Sequence, residues 1–163
     1  MTDWLRAELC DDLIVLEPWD ETGKDDALRD PELGRYFGRA IGAQESVAED
    51  TGVPNLRIVD LKTRRVVGRI WCRFGARPPE VGYYLRQDAW GNGYATRALE
   101  LVTGWLLSDG GFAEVLLRTH PDNTASQRVA ERAGFVRTGI VREYAEFKDG
   151  TRDALGFVRR SAA

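Results

Sequence analysis

Cysteine and histidine are scarce in this 163-residue chain, with two of the first and one of the second. Cys10 and Cys72 stand apart with no CxxC spacing. Neither a metal site nor a disulfide framework is therefore indicated, and a reduced, cytoplasmic compartment is expected. A basic block is also missing: Lys and Arg number 23 against 26 Asp and Glu, a formal charge of −3. That balance argues against a nucleic-acid partner. No apolar run reaches the roughly 18 residues of a membrane span, and the first twenty or so residues lack the apolar core of a signal peptide. Internal repeats and low-complexity segments are absent. The expectation is one domain over residues 1–163, large enough to bury roughly two thirds of its unfolded surface.

What is present is concentrated in residues 83–107, YYLRQDAWGNGYATRALELVTGWLL. Tyr83, Tyr84 and Leu85 suit a pleated, half-buried strand. Gly91 and Gly93 allow a tight turn or a close backbone approach. Beyond them Ala95, Ala98, Leu99, Val102 and Leu106 recur at helical spacing as one apolar stripe. A helix that begins directly after two glycines leaves its first N–H groups unpaired, and these with the helix dipole suit a phosphate-bearing ligand. An ordinary strand–loop–helix connection would look the same. A P-loop reading fails because no lysine follows the glycines. A dinucleotide fingerprint is weak, because Thr96 holds the third glycine position and no early βαβ unit precedes it.

Around this centre the pattern predicts a first strand at 13–16 and one or two short helices between 20 and 50, with Leu33, Tyr36, Phe37 and Ile41 as apolar contacts. A hairpin follows at 56–61 and 66–74, then a strand at 80–86 leading into the glycine turn. Gly110 and Gly111 supply the helix stop. Residues 115–119 read as a buried strand, so strand, helix and strand form a parallel crossover. Asn123 or Thr124 can cap a helix running to Ala133. Two last strands are predicted at 135–144 and 154–159, joined across Asp149-Gly150. This order makes an α+β protein with a mixed sheet.

The run Trp90-Gly91-Asn92-Gly93-Tyr94-Ala95-Thr96 resembles the [QR]xxGx[GA] signature of the GCN5-related N-acetyltransferases (GNAT). Gly93 and Ala95 match it, while Trp90 stands where Gln or Arg is usual. As a WGxGYAT run it is similar to the RimJ/RimL-type branch of ribosomal-protein N-terminal acetyltransferases. Asn123, Ser126, Glu131, Gly134 and Phe135 match that family's NxxSxxxxExxGF segment. The resemblance implies a single mixed, mostly antiparallel, twisted sheet of about six or seven strands flanked by about four helices. It also implies acetyl-CoA as cosubstrate without a metal. Backbone groups near Tyr84, Leu85 and Arg86 would meet the pantetheine arm. Gly91, Asn92, Gly93, Tyr94, Ala95 and Thr96 would surround the pyrophosphate, and Asn123, unless it only caps its helix, would contact the arm.

The catalytic expectations are less uniform. The tyrosine that is a frequent thiol proton donor in relatives is replaced by Ala130, so Ser126 is the candidate for stabilising the thiolate; otherwise it is a small polar residue in a first helical turn. Glu80 is the candidate base for the amine, directly or through water; otherwise it is an exposed strand-edge carboxylate. His120 reads as a loop residue rather than a base. Arg128 and Arg132 either reach the cofactor's 3′-phosphate or form a solvated helix face. The acceptor is expected to be a primary amine, on a protein N-terminus or a small molecule. Glu143, Glu146 and Asp149 would suit a polycationic one. No membrane partner is expected, and a monomer or homodimer is. A non-catalytic acetyl-CoA sensor is the alternative from another class, and a nucleotide-binding domain a third.

Overall fold

The computed structural model of the chain describes residues 9–18, 38–40, 55–75, 78–147 and 149–162, with backbone alone at 38–40. Its elements are β1 (Leu9–Cys10), β2 (Ile14–Pro18), β3 (Gly38–Ala40), β4 (Asn55–Asp60), β5 (Val66–Arg73), β6 (Glu80–Leu85), α1 (Tyr94–Leu107), β7 (Glu114–Thr119), α2 (Thr124–Arg132), β8 (Val136–Val141), β9 (Ala145–Phe147) and β10 (Ala154–Arg160). An eight-stranded sheet runs β1-β2-β4-β5-β6-β7-β10-β8, and β3 pairs with β9 in a second, two-stranded sheet. Among the described residues only the β6–β7 pair is parallel, as the crossover through α1 requires.

Three expectations need correction. The main sheet has eight strands rather than six or seven, because the two-residue β1 adds an edge on β2. The predicted strand at 135–144 is broken, since Glu143 takes a left-handed φ of 51° between β8 and β9. β8 pairs with β10, whereas β9 leaves the main sheet to meet β3. Among the described residues there are two helices, α1 and α2, rather than about four. The short helices predicted between 20 and 50, with Leu33, Tyr36, Phe37 and Ile41, lie outside the described residues. No helix among the described residues is long and apolar enough to cross a membrane.

The core lies between α1 and one face of the sheet. Ala95, Ala98, Leu99, Val102 and Leu106 of α1 are buried together with Ile14, Ile58, Ile70, Val81 and Val115. Leu99 and Leu106 have no exposed surface, and each such side chain contributes about 1.5–3 kcal/mol on leaving water. Strand alternation then divides β6. Val81 and Leu85 belong to the core, with Tyr83 packed against it. Glu80, Gly82 and Tyr84 therefore point to the opposite face. Across the antiparallel β5–β6 pair, Arg73 lies opposite Glu80 and Trp71 opposite Gly82; directly opposed residues share a face.

The feature that positions the site is a split in the sheet. β6 and β7 pair at one place, Glu80 with Leu116, helped by the Leu116 N–H donating to the Pro79 carbonyl at 2.8 Å. Beyond it the two strands diverge, each still fully paired on its other side, β6 with β5 and β7 with β10. Backbone groups along the inner edges of the split are left without strand partners, a state that calls for water or a ligand.

Candidate active site

The glycine turn is held by its own side chains. The Trp90 indole N–H donates to the Leu85 carbonyl at 3.1 Å. The Asn92 amide donates to the carbonyls of Ala89 at 3.1 Å and Trp90 at 3.2 Å. Gly91 and Gly93 adopt φ of 81° and 80°, a left-handed region that penalises other residues. A side-chain carbon would meet nothing within 4 Å at either glycine, so backbone conformation, not space, demands them. The Arg97 N–H is bonded to the Gly93 carbonyl at 3.1 Å. The N–H groups of Gly93, Tyr94, Ala95 and Thr96 precede this bond and have no intrahelical acceptor. No acidic side chain sits in the first turn of α1, leaving the positive end of its dipole uncompensated.

Tyr94 has a second duty. Its hydroxyl donates to Asp60 Oδ2 at 2.5 Å, tying the start of α1 to the end of β4. Asp60 Oδ1 also accepts from the Thr63 N–H at 2.8 Å and the Thr63 hydroxyl at 3.0 Å. These bonds, that of Tyr94 first, lower the Asp60 carboxyl to about 2.

From this turn a cleft of about 580 Å³ runs through the split between β6 and β7 to the opposite face of the sheet. Midway, on the helix side, the Tyr83 hydroxyl and Ser126 Oγ lie 2.9 Å apart in a hydrogen bond. Ser126 is fixed from behind, because its N–H donates to Asn123 Oδ1 at 3.1 Å in the cap of α2. Burial pushes the Tyr83 hydroxyl up to about 12, against the opposing effect of the Ser126 bond. It is therefore protonated at neutral pH.

At the far end the Tyr144 hydroxyl donates to Glu80 Oε1. Burial first, then the Glu80 charge and this bond, push the Tyr144 hydroxyl well above its ordinary value, while Arg73 and Arg118 pull it back. Arg73 and Arg118 line this end together with Trp71, Gly82 and Phe147. The Trp71 indole lies flat against Gly82, whose added Cβ would come within 2.6–2.7 Å of the ring. The nearby Cys72 thiol is raised to about 12 by burial and by Glu80, so it is no nucleophile.

His120 has the carboxylate partner that its sequence neighbourhood did not reveal. The Asp122 N–H donates to its Nδ1 at 3.0 Å, so the proton sits on Nε2, which is 2.8 Å from Asp149 Oδ2. The ring also meets Phe147 edge-on, with centroids 4.7 Å apart. These contacts make it a buried pin for the final hairpin. His120, Asp122 and Asp149 bring potential metal-ligand atoms within 4.8 Å of one another, but both ring nitrogens are already spent.

Of the residues singled out from sequence, Glu80, Tyr84, Leu85, Gly91, Gly93, Tyr94, Ala95, Thr96, Asn123 and Ser126 line this one cleft. Arg86 and Asn92 do not: Arg86 pairs with Asp88 at 3.6 Å, and Asn92 braces the turn. Two backbone groups expected to serve a ligand are also engaged, the Leu85 carbonyl by Trp90 and the Arg86 N–H by the Val67 carbonyl at 2.8 Å. Asn123 does cap its helix, using only its carbonyl oxygen. Arg132 lines the cleft and Arg128 does not. Glu80 is not an exposed edge group but a half-buried one at the closed end of the split, where β6 and β7 still pair. The acidic cleft suggested by Glu143, Glu146 and Asp149 is not formed. Arg152 pairs with Glu143 at 2.8 Å and Glu146 at 4.0 Å, and Asp149 holds His120. Sequence reading missed Tyr83, Arg73, Arg118 and Tyr144. For Tyr83 a signal existed, since it alternates with Val81 and Leu85 on the strand leading into the turn.

A mixed sheet split between two parallel strands, with a helix N-terminus at the mouth of the split, defines a class of acyl-group-transfer domains. The chain belongs to the GNAT family: the family model for the acetyltransferase (GNAT) domain matches residues 14–136. Among curated sequences it is 31% identical over 92 residues to the uncharacterised N-acetyltransferase YoaA of Bacillus subtilis, a match covering 55% of this chain and 51% of YoaA. It is 26% identical over 144 residues to the uncharacterised N-acetyltransferase p20 of Bacillus licheniformis, covering 78% of this chain and 80% of p20. The chain thus spans about half of YoaA and most of p20. A GNAT-family acetyltransferase structure from Bacillus anthracis superposes with a TM-score of 0.77 at 17% identity, over 94% of this chain and 98% of that one. Mycobacterium smegmatis RimJ in complex with CoA-disulfide gives 0.69 at 20% identity, over 90% and 81%. At these identities the two structures speak for the fold.

Proposed function

We propose that the protein is an acetyltransferase that moves an acetyl group from acetyl-CoA to a primary amine by direct attack in a ternary complex. The observation that carries this reading is the cleft itself. It joins an anion site at the start of α1 to a carboxylate on the other face of the sheet, through a gap lined by unpaired strand edges. The residues present fit coenzyme A: unpaired N–H groups at Gly93 to Thr96 suit a pyrophosphate, and the free edge of β6 suits an arm that pairs like a strand.

Acetyl-CoA supplies the activated acyl group. As the amine attacks, a C–N bond forms and the C–S bond breaks; sulfur keeps the electron pair and the amine gives up one proton. Glu80 is the acceptor for that proton, directly or through water, with Tyr144 holding its carboxylate in place. Ser126 supplies the hydroxyl that balances charge on the departing sulfur. Tyr83, protonated and bonded to Ser126, keeps that hydroxyl aimed. Gly91, Gly93, Tyr94, Ala95, Thr96 and Asn123 hold the cofactor, Asn92 braces the turn from behind, and Tyr84 and Leu85 form the wall of the arm's channel. The amine belongs to a protein N-terminus or a small molecule.

The test is acetyl-CoA-dependent thiol release across an amine panel, with binding of coenzyme A measured in parallel by calorimetry. Acceptor-dependent release above the hydrolysis background is expected. Tight binding without release from any amine would favour a sensor, and loss of both would end the proposal.

A further inference from the structure

The acceptor end of the cleft has a charge pattern that its carboxylate alone does not explain. Arg73 stands across the β5–β6 pair from Glu80. Arg118 lies two residues beyond Leu116, the β7 partner of Glu80, on the same face. Both line the cleft. Among the described residues neither makes an ion pair, although Arg57, Arg64, Arg65, Arg97, Arg137, Arg152 and Arg160 all do. Arg73 Nε is buried with no hydrogen-bond partner. Arg118 has one long bond of 3.5 Å to the Leu117 carbonyl of its own strand. A buried guanidinium N–H without an acceptor is costly, and arginine is the side chain best shaped to grip a carboxylate with paired donors.

We infer that Arg73 and Arg118 form a carboxylate-binding subsite, so that the acceptor is an amine carrying a carboxylate close by, such as an amino acid or a short peptide with its free C-terminus. This rests on the acetyl-transfer reading and narrows its substrate. The amine faces Glu80 and Tyr144, while the carboxylate faces the two guanidiniums. A zwitterion matches both charges. A polyamine or aminoglycoside would set further positive charges against Arg73 and Arg118, and Glu80, the carboxylate among the described residues at this end, is already bonded by Tyr144.

The test compares each acceptor with its own amide: free amino acids and dipeptides against their C-terminal amides, with spermidine as a polycationic control. Thiol release gives kcat and KM, and calorimetry on the CoA-loaded protein gives acceptor binding. The carboxylate member of each pair is expected to be used at least about tenfold better. Arg73→Gln and Arg118→Gln should each erase that preference through a rise in KM for the carboxylate member, with Kd for CoA unmoved. Arg118→Lys should keep part of it. Equal use of acid and amide, better use of spermidine, or binding of CoA with no acid bound or acetylated would each overturn the subsite. Failure to bind CoA at all would instead bring down the acetyl-transfer reading beneath it.

Discussion

At one end of the cleft the binding groups are backbone N–H donors, held by a short turn between β6 and α1. At the other they are side chains brought together from β5, β6, β7 and the residue before β9. The first end needs particular conformations, which only glycine supplies cheaply; its neighbours Trp90, Asn92 and Tyr94 act as struts. The second end needs particular functional groups, and the backbone beneath them is ordinary strand. Damage should therefore appear differently at the two ends. Substitution of Glu80 should strike turnover, substitution of the arginines beside it should strike acceptor KM, and substitutions in the turn should strike cofactor affinity.

The sharpest way to break this contrast is Glu80→Gln. The amide oxygen can still accept from Tyr144, so the variant keeps the contact and removes the base. A fall in kcat of about 10²–10⁴ is expected, with Kd for acetyl-CoA within about twofold, because nothing in the turn is touched. An unchanged pH–rate profile would remove Glu80 from proton transfer. Next comes the middle of the cleft. Ser126→Ala and Tyr83→Phe should each lower kcat about 10²-fold, and the double variant should be little worse than either single one, since the two hydroxyls act as one unit. Losses that multiply would show that they act separately; full turnover in Ser126→Ala would take that hydroxyl out of the mechanism.

The same contrast explains what could be read before any coordinates. The turn, the helix after it and the Asn123 cap are local, and glycine, period and cap residue are all adjacent in the chain. The three long strands before the turn and the parallel return strand after it were legible for the same reason. The Tyr83–Ser126 and Tyr144–Glu80 contacts join residues 43 and 64 positions apart, and no local pattern encodes such pairs. Arg73 and Arg118 looked like ordinary strand charges until the register placed them beside Glu80. The break at Glu143 was hidden as well, because a left-handed φ there carries no glycine to announce it.

A smaller effect tests the backbone end. Gly93→Ala introduces no clash, so its cost is the left-handed conformation, about 1–2 kcal/mol. If that conformation is what aims the N–H groups, Kd for coenzyme A should rise by about 5- to 30-fold, with kcat at saturating cofactor held within about twofold. An unchanged Kd would mean that the turn's geometry is not what holds the anion. A loss confined to kcat would erase the distinction between the ends.

The smallest effect concerns the strut beneath that turn. Asp60 titrates at about 2 in the folded chain, below the roughly 3.9 of an unperturbed aspartate. A lowered folded value means that the carboxylate's contribution is complete above about pH 4 and is lost as pH falls through about 2. Asp60→Asn should therefore melt below wild type at pH 7, by a few degrees, and the gap between the two should close as pH approaches 2. The carboxyls of Asp11, Glu17, Asp88 and Asp149 are also lowered, so the wild-type curve alone would mix several groups. The difference between the two proteins isolates Asp60. A gap that stays constant from pH 7 to 2 would show that the Tyr94 and Thr63 bonds do not depend on the charge, and the link between β4 and the start of α1 would then be one of shape alone.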